Sequence, residues 1–220
     1  MFLNLFLHVA TLFAVVIVYR KVIWNLLKKP LQGYAFKLLL ATIFTVCLAF
    51  AYEFFGFENF ITKIYPFGFL LTSILLLICH IFQKKAVVVK SGEISLKSAA
   101  LAGVAQGFAV VPGLSRSGST ISSLMFCGND EKSAAEFSFL LSIPIIIGGF
   151  VLELLNLKSG LVVFENVNLL PYLFAFVLTF IVSLIALKLT IRLLKKQKFI
   201  FFSIYTFIMF IITLILNFAW

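Results

Sequence analysis

Ser115, Arg116, Ser117, Ser119 and Thr120 crowd into six positions, with Gly118 among them and Gly113 just before, in the stretch VVPGLSRSGST from Val110 to Thr120. Each residue type has a use in holding an anion. A guanidinium presents a planar fork of N–H donors that meets two phosphate oxygens at once. Glycines let the backbone turn with its N–H groups exposed, and hydroxyls add short donors. A helix resuming near Ser119 aims its unpaired amides and positive dipole end at the same place. Arg116 is the only arginine between Arg20 and Arg192. The chemistry indicated is an anion-binding nest suited to phosphate oxygens. Arg116, Ser115 and Ser117 are the candidate catalytic residues; Gly113, Gly118, Ser119, Thr120 and the upstream Gln106 are candidates for substrate binding. Structural uses compete. Arg116 could pair with Asp130 or Glu131, each hydroxyl could cap a helix, and Gln106 could make a packing contact.

The surroundings of this polar stretch are oily. Hydrophobic residues make up 63% of the 220, charged residues 12%, and the mean hydropathy is +1.16. A soluble domain averages about 45–50% apolar and about 25% charged, so no soluble core accommodates this excess. The chain therefore reads as an integral membrane protein. Its net charge of +10 does not point to nucleic acid, because the basic residues fall between apolar runs instead of along one face. Cys47, Cys79 and Cys127 lie in or beside apolar runs, with no metal-site spacing and an odd count that argues against a disulfide framework. The N-terminal apolar run has no basic residue before it and reads as a first span, not a cleavable signal peptide.

Roughly 30 Å of hydrocarbon needs about 20 apolar helical residues. Six stretches qualify: Phe2–Trp24, Phe36–Phe55, Tyr65–Phe82, Glu136–Leu155, Leu169–Leu187 and Phe199–Phe218. Basic residues cluster after the first, third and fifth of these; the alternate loops hold only Lys63 and Lys158, beside Glu58 and Glu165. The positive-inside rule then puts both termini outside. It also sets a parity condition. Ser98–Cys127 must enter and leave on the cytoplasmic side, as a re-entrant helix–loop–helix with Pro112–Thr120 at its tip. Irregular backbone at membrane depth is tolerated only where it is buried in protein or lines a wet cavity, so a polar tip suggests a site. Residues 1–220 form one membrane domain on this reading, with spans over 1–82, the hairpin over 98–127 and further spans over 136–218.

GVAQGFAVVPGLSRSGSTISSLMFCGNDEKSAAEFSFLLSIPIIIGG resembles the signature region of the bacterial undecaprenyl-pyrophosphate phosphatase (bacitracin-resistance) family. PGLSRSGST, EFSFLLSIP and Gln106 match in order, and HVATLFAVVIVYRK is similar to a family span reading HLGTLLAV. The resemblance covers the whole chain. It implies an all-α membrane fold of six transmembrane helices with re-entrant hairpins in inverted repeat. It implies hydrolysis of a polyprenyl pyrophosphate to the monophosphate for cell-wall synthesis, a bacterial cytoplasmic-membrane location, a divalent cation (Mg2+), and membrane lipids and a homodimer as partners. Family members carry an earlier acidic hairpin, similar to EGLTEFLPISSTGH, that supplies general-base or metal-binding glutamates, a serine and a histidine; nothing like it stands in these 220 residues. The expectation is a remnant of the fold with one hairpin, either truncated or a shorter, catalytically impaired paralogue that binds lipid phosphate. A polyprenyl-phosphate transporter or flippase is the alternative activity, and a pure interaction subunit a third.

The remaining acids and histidines read as structural. Glu53 and Glu153 end spans at the outer face, Asp130 and Glu131 lie on the cytoplasmic side of the hairpin, and Glu136, where the family often has arginine, opens a helix. His8 reads as a helix–helix hydrogen-bonder and His80 as interfacial.

Overall fold

The computed structural model describes residues 2–28, 33–56, 65–84, 92–158, 169–196 and 198–219. Among them all regular elements are helices: α1 (Phe2–Lys28), α2 (Tyr34–Phe54), α3 (Tyr65–Lys84), α4 (Leu96–Phe108), α5 (Arg116–Phe126), α6 (Glu131–Lys158), α7 (Leu169–Lys195) and α8 (Phe199–Ala219). Six of these, α1, α2, α3, α6, α7 and α8, are long and apolar enough to cross a membrane. They coincide with the six stretches expected from hydropathy, but several run further. α1 continues to Lys28 and α7 to Lys195, because lysine and arginine are good helix formers and carry the helix past the apolar run. α6 begins five residues early, at Glu131, since the Asp130 carboxylate accepts the backbone N–H groups of Lys132 and Ser133, both at 3.0 Å. Lys29, Glu58, Lys63, Lys85, Lys90 and Glu165, which figure in the charge pattern, lie outside the described residues.

α4 and α5 have 13 and 11 residues. At 1.5 Å per residue neither exceeds about 20 Å, short of a bilayer's hydrocarbon core. They form a helix–turn–helix.

The polarity of the fold is inverted relative to a soluble protein. Large apolar side chains such as Phe44, Phe50, Phe174 and Ile185 are exposed, whereas Thr45, Thr72, Ser98, Gln106, Ser122 and Ser138 are buried. Lipid solvates the former; hydroxyls and amides are driven inward to find partners.

The chain gathers into two compact units. One comprises residues 1–30 and 139–191. Here α1 meets α7 through ring pairs, Phe6 with Tyr172 at 5.7 Å and Phe13 with Phe176 at 6.2 Å. α1 is kinked at Tyr19, whose ring lies 6.2 Å from that of Phe139.

The other unit comprises residues 31–138 and 192–220, and contains the hairpin. Its helices pack in the order α2, α4, α5, α3, α8. The α2–α4 seam depends on missing side chains. A Cβ on Gly103 would stand 2.3 Å from the Ala41 carbonyl oxygen, and one on Gly107 would stand 2.6 Å from Leu48 Cβ. The two glycines are four residues apart, so both fall on one helix face. Thr45 of α2 closes the seam, donating within hydrogen-bond reach of both Ala41 O (2.9 Å) and Gly103 O (3.0 Å). The α3–α8 seam is held by a reciprocal pair: the Ser73 hydroxyl lies 2.9 Å from Ser203 O, and the Ser203 hydroxyl 2.9 Å from Ser73 O. At the base of the hairpin, the Asn129 amide donates to Glu93 O at 2.9 Å, bringing the entry and exit of the α4–α5 segment side by side.

Close approach makes Gly103 sensitive. Alanine there forces α2 and α4 apart and lowers stability by about 2 kcal/mol. Alanine at Gly148, where an added Cβ meets nothing within 4 Å, leaves stability within about 0.5 kcal/mol. Thermal unfolding of the two variants in detergent micelles measures the contrast.

Candidate functional site

The segment 109–115 turns the chain between α4 and α5, and its geometry follows from three residues. Gly113 has φ +83°, a conformation favoured for glycine, and a Cβ there would lie 2.3 Å from the Tyr65 carbonyl oxygen of α3. Gly68 of α3 faces the same turn; its Cβ would stand 2.5 Å from Pro112 O and 2.7 Å from Leu114 N. Backbone therefore lies directly on backbone.

Ser115 is the third. It is the N-cap of α5 in an extended conformation, and its Oγ accepts the Gly118 N–H at 3.0 Å. Its own N–H donates to Thr72 Oγ1 of α3 at 2.9 Å, and the Thr72 hydroxyl donates to Gly68 O at 3.0 Å.

α5 therefore begins at Arg116, three residues before the start expected near Ser119. The cap at Ser115 explains the difference: a serine that bonds the third amide ahead of it nucleates the turn immediately. Arg116 is the first helical residue. The N–H groups of Arg116 and Ser117, at the first two helical positions, have no partner inside the helix. The dipole of α5 ends there as well.

The sequence candidates separate into two groups. Arg116 is exposed, Ser115 and Ser117 are half-buried, and with Gly113 they surround the start of α5. Among the described residues no carboxylate pairs with the Arg116 guanidinium. Asp130, one conceivable partner, caps α6 instead. Ser115 Oγ accepts from Gly118 yet retains its hydroxyl proton for donation outward.

The second group faces the protein. Thr120 is fully buried; its hydroxyl lies 3.0 Å from Arg116 O and 3.2 Å from Ser117 O, and it forms a short hydrogen bond with Ser138 of α6. Ser119 is buried, with no hydrogen-bond partner for its Oγ among the described residues. Gly118 is buried beside Thr72, where an added Cβ would stand 3.2 Å from Thr72 Cγ2. Gln106 is 4% exposed on α4, on the face that also buries Gly103 and Gly107.

Three contributors escaped the sequence reading: Gly68, Thr72 and Ser138. The pair Gly68 and Thr72 had a signal, a small residue four positions before another on an apolar helix, the spacing of close helix contacts. Ser138 had none, because its partner is 18 residues away.

His8 and Glu53 are exposed on α1 and α2, and His80 keeps a buried Nδ1 on α3. The three cysteines are free. Among the described residues no three His, Cys, Asp or Glu side chains gather closely enough to hold a metal. Mg2+ takes hard oxygen ligands, carboxylates foremost. The hydroxyls and guanidinium at the start of α5 do not fit it, and no step below passes through a metal.

Comparison with known proteins now bears on the site. The family model for bacitracin resistance protein BacA matches residues 1–212. This chain belongs to that family. It is 29% identical over 222 residues to an undecaprenyl-diphosphatase of Carboxydothermus hydrogenoformans, covering 98% of this chain and 82% of that protein. It is 32% identical over 219 residues to undecaprenyl-diphosphatase 2 of Halalkalibacterium halodurans, covering 93% of this chain and 78% of that one. A 147-residue match to an undecaprenyl-diphosphatase of Treponema denticola is 37% identical and spans 51% of that protein's length. As a BacA-family member with six apolar helices, the chain is a multi-pass membrane protein.

The Ser115 cap is testable by stability. Ser115→Ala leaves the Gly118 amide without its partner and costs about 1 kcal/mol. Reversible unfolding of wild type and variant in mixed micelles gives the difference directly.

Proposed function

We propose that this chain hydrolyses undecaprenyl pyrophosphate to undecaprenyl phosphate and inorganic phosphate, recycling the lipid carrier of cell-wall synthesis. The observation that carries the reading is the placement of Arg116: exposed, without a carboxylate partner among the described residues, on the first turn of a helix whose opening amides are free. A pyrophosphate is the kind of anion such a fork and dipole end recognise. The curated relatives named above are all undecaprenyl-diphosphatases.

In this reading Arg116 binds the pyrophosphate oxygens in two-pronged fashion and offsets the charge that builds on them as the P–O–P bridge breaks. The Arg116 and Ser117 amides and the Ser115 and Ser117 hydroxyls add donors around the same oxygens. Gly113 keeps the turn free of a side chain that would crowd the anion. Ser119 and Thr120 support α5 from behind. Gln106, buried on α4 beside Gly103 and Gly107, supports the hairpin from within. The exposed leucines and phenylalanines of the long helices suit the polyprenyl tail, which is lost to water but at home in lipid.

The helix–turn–helix is read as re-entrant. Its helices are too short to cross, and the Asn129–Glu93 hydrogen bond puts both its ends together, as a segment that enters and leaves on one side requires. Exposed Arg20, Lys21 and Lys28 near the end of α1, and Lys188, Arg192, Lys196 and Lys198 around the end of α7, support a cytoplasmic side for those helix ends and an outer side for both termini.

Arg116→Ala reduces phosphate release from undecaprenyl pyrophosphate by about 10²–10³-fold in kcat, the loss typical of removing one preorganised donor of transition-state charge. Arg116→Lys restores part of it, as a point charge without the planar fork. Purified protein in detergent with a phosphate-release assay decides the matter; equal rates for wild type and Arg116→Ala would exclude the arginine from the reaction.

A further inference from the structure

We propose that Thr72, on α3, is a positioning residue for Arg116; the proposal rests on the pyrophosphate reading above and adds a residue to it. Thr72 is fully buried and does not itself reach the open side of the turn. Its Oγ1 sits between two backbone groups, accepting the Ser115 N–H at 2.9 Å and donating to Gly68 O at 3.0 Å. The hydroxyl's one proton and one of its two lone pairs are thereby engaged in opposite directions, which fixes its rotamer. Ser115 immediately precedes Arg116, and its N–H precedes the α5 ladder. Fixing that N–H fixes the plane from which the Arg116 side chain and the two free amides project.

Three contacts make Thr72 the pivot of a wider seat. Gly68, one turn earlier on α3, touches backbone at Pro112 and Leu114; Gly113 touches Tyr65; Gly118 packs on Thr72 Cγ2. The glycine contacts hold the turn against α3 by shape alone and would permit sliding. The hydrogen bond from Ser115 to Thr72 is directional and sets the register. Valine has the same shape as threonine but no oxygen, so Thr72→Val keeps the packing, removes the acceptor and leaves the half-buried Ser115 N–H without it. Serine keeps the oxygen.

The test combines hydrolysis with a binding readout that needs no turnover. Phenylglyoxal labels exposed guanidinium groups, and Arg116 is one of three arginines in the chain, with exposed Arg20 and Arg192 as internal references. Inorganic pyrophosphate is the protecting probe, and the Arg116 peptide is quantified by mass spectrometry. Wild type and Thr72→Ser are expected to be protected at similar pyrophosphate concentrations. Thr72→Val is expected to need at least about tenfold more and to lose about 10–100-fold in kcat/KM, the cost of a misplacement near 1 Å. In an Arg116→Lys background the Thr72→Val loss is expected to shrink to under about threefold, since the residue acts through the arginine fork.

Unchanged protection and rate in Thr72→Val overturn the proposal. So does an equal loss in Thr72→Ser, or the same fold-loss with Arg116 and with Lys at that position, which is the mark of a general packing role. Wild type that is unprotected by pyrophosphate overturns it as well. Wild type that shows Thr72-dependent protection yet releases no phosphate leaves the positioning role standing and removes the hydrolysis reading instead.

Discussion

One hydrogen bond between a backbone amide and a threonine hydroxyl on another helix organises the candidate site: the Ser115 N–H on Thr72 Oγ1. A turn that exposes polar groups in an apolar protein faces a difficulty. Its amides must stay unpaired to bind an anion, yet unpaired amides leave the backbone unconstrained and are costly wherever water is scarce. The structure resolves this by pairing the amides on either side. The Ser115 amide is taken by Thr72 and the Gly118 amide by Ser115 Oγ, which leaves the Arg116 and Ser117 amides between them without a partner among the described residues. Rigidity and availability thus occur on adjacent residues.

The rest of the hairpin unit supports that arrangement through small residues. Between α2 and α4, Gly103 and Gly107 admit the facing helix to backbone distance, and Thr45 bonds across the gap. Between α3 and the turn, Gly68 and Gly113 do the same, and Thr72 bonds across. The two seams share a physical device. Lipid tails are as apolar as leucine, so hydrophobicity cannot drive these helices together; close van der Waals contact plus one hydroxyl hydrogen bond can. Where α5 meets α6 the device is a hydroxyl pair, Thr120 with Ser138, both buried.

Much of this was legible in the residues. Six apolar runs of about 20 residues gave six long helices, because a bilayer dictates length and because every backbone group must be satisfied inside the span. The break fell at 109–115, between two short helices, because proline and glycine interrupt α-helix; the rest of the expected tip, from Arg116 to Thr120, forms the first turn of α5 instead. The helix ends were less legible. Lysine and arginine extend helices past the apolar run, and capping by Ser115 and Asp130 starts them early, so hydropathy alone misplaces both ends.

The sequence by itself determined the class of protein and the number of spans, and it offered the functional groups suited to an anion, since composition, run length and side-chain functional groups are properties of residues taken one at a time. Only the tertiary structure decided which hydroxyls face outward and which are consumed. Ser115 and Ser117 stand at the open start of α5, while Ser119 and Thr120 turn inward, a division made by helical phase once the first residue of the helix is fixed. The Ser115 cap fixes that first residue, and the Ser115 amide is itself bonded to Thr72, 43 positions earlier in the chain. A bond over such a separation depends on how α3 and the turn meet, and no local pattern encodes it.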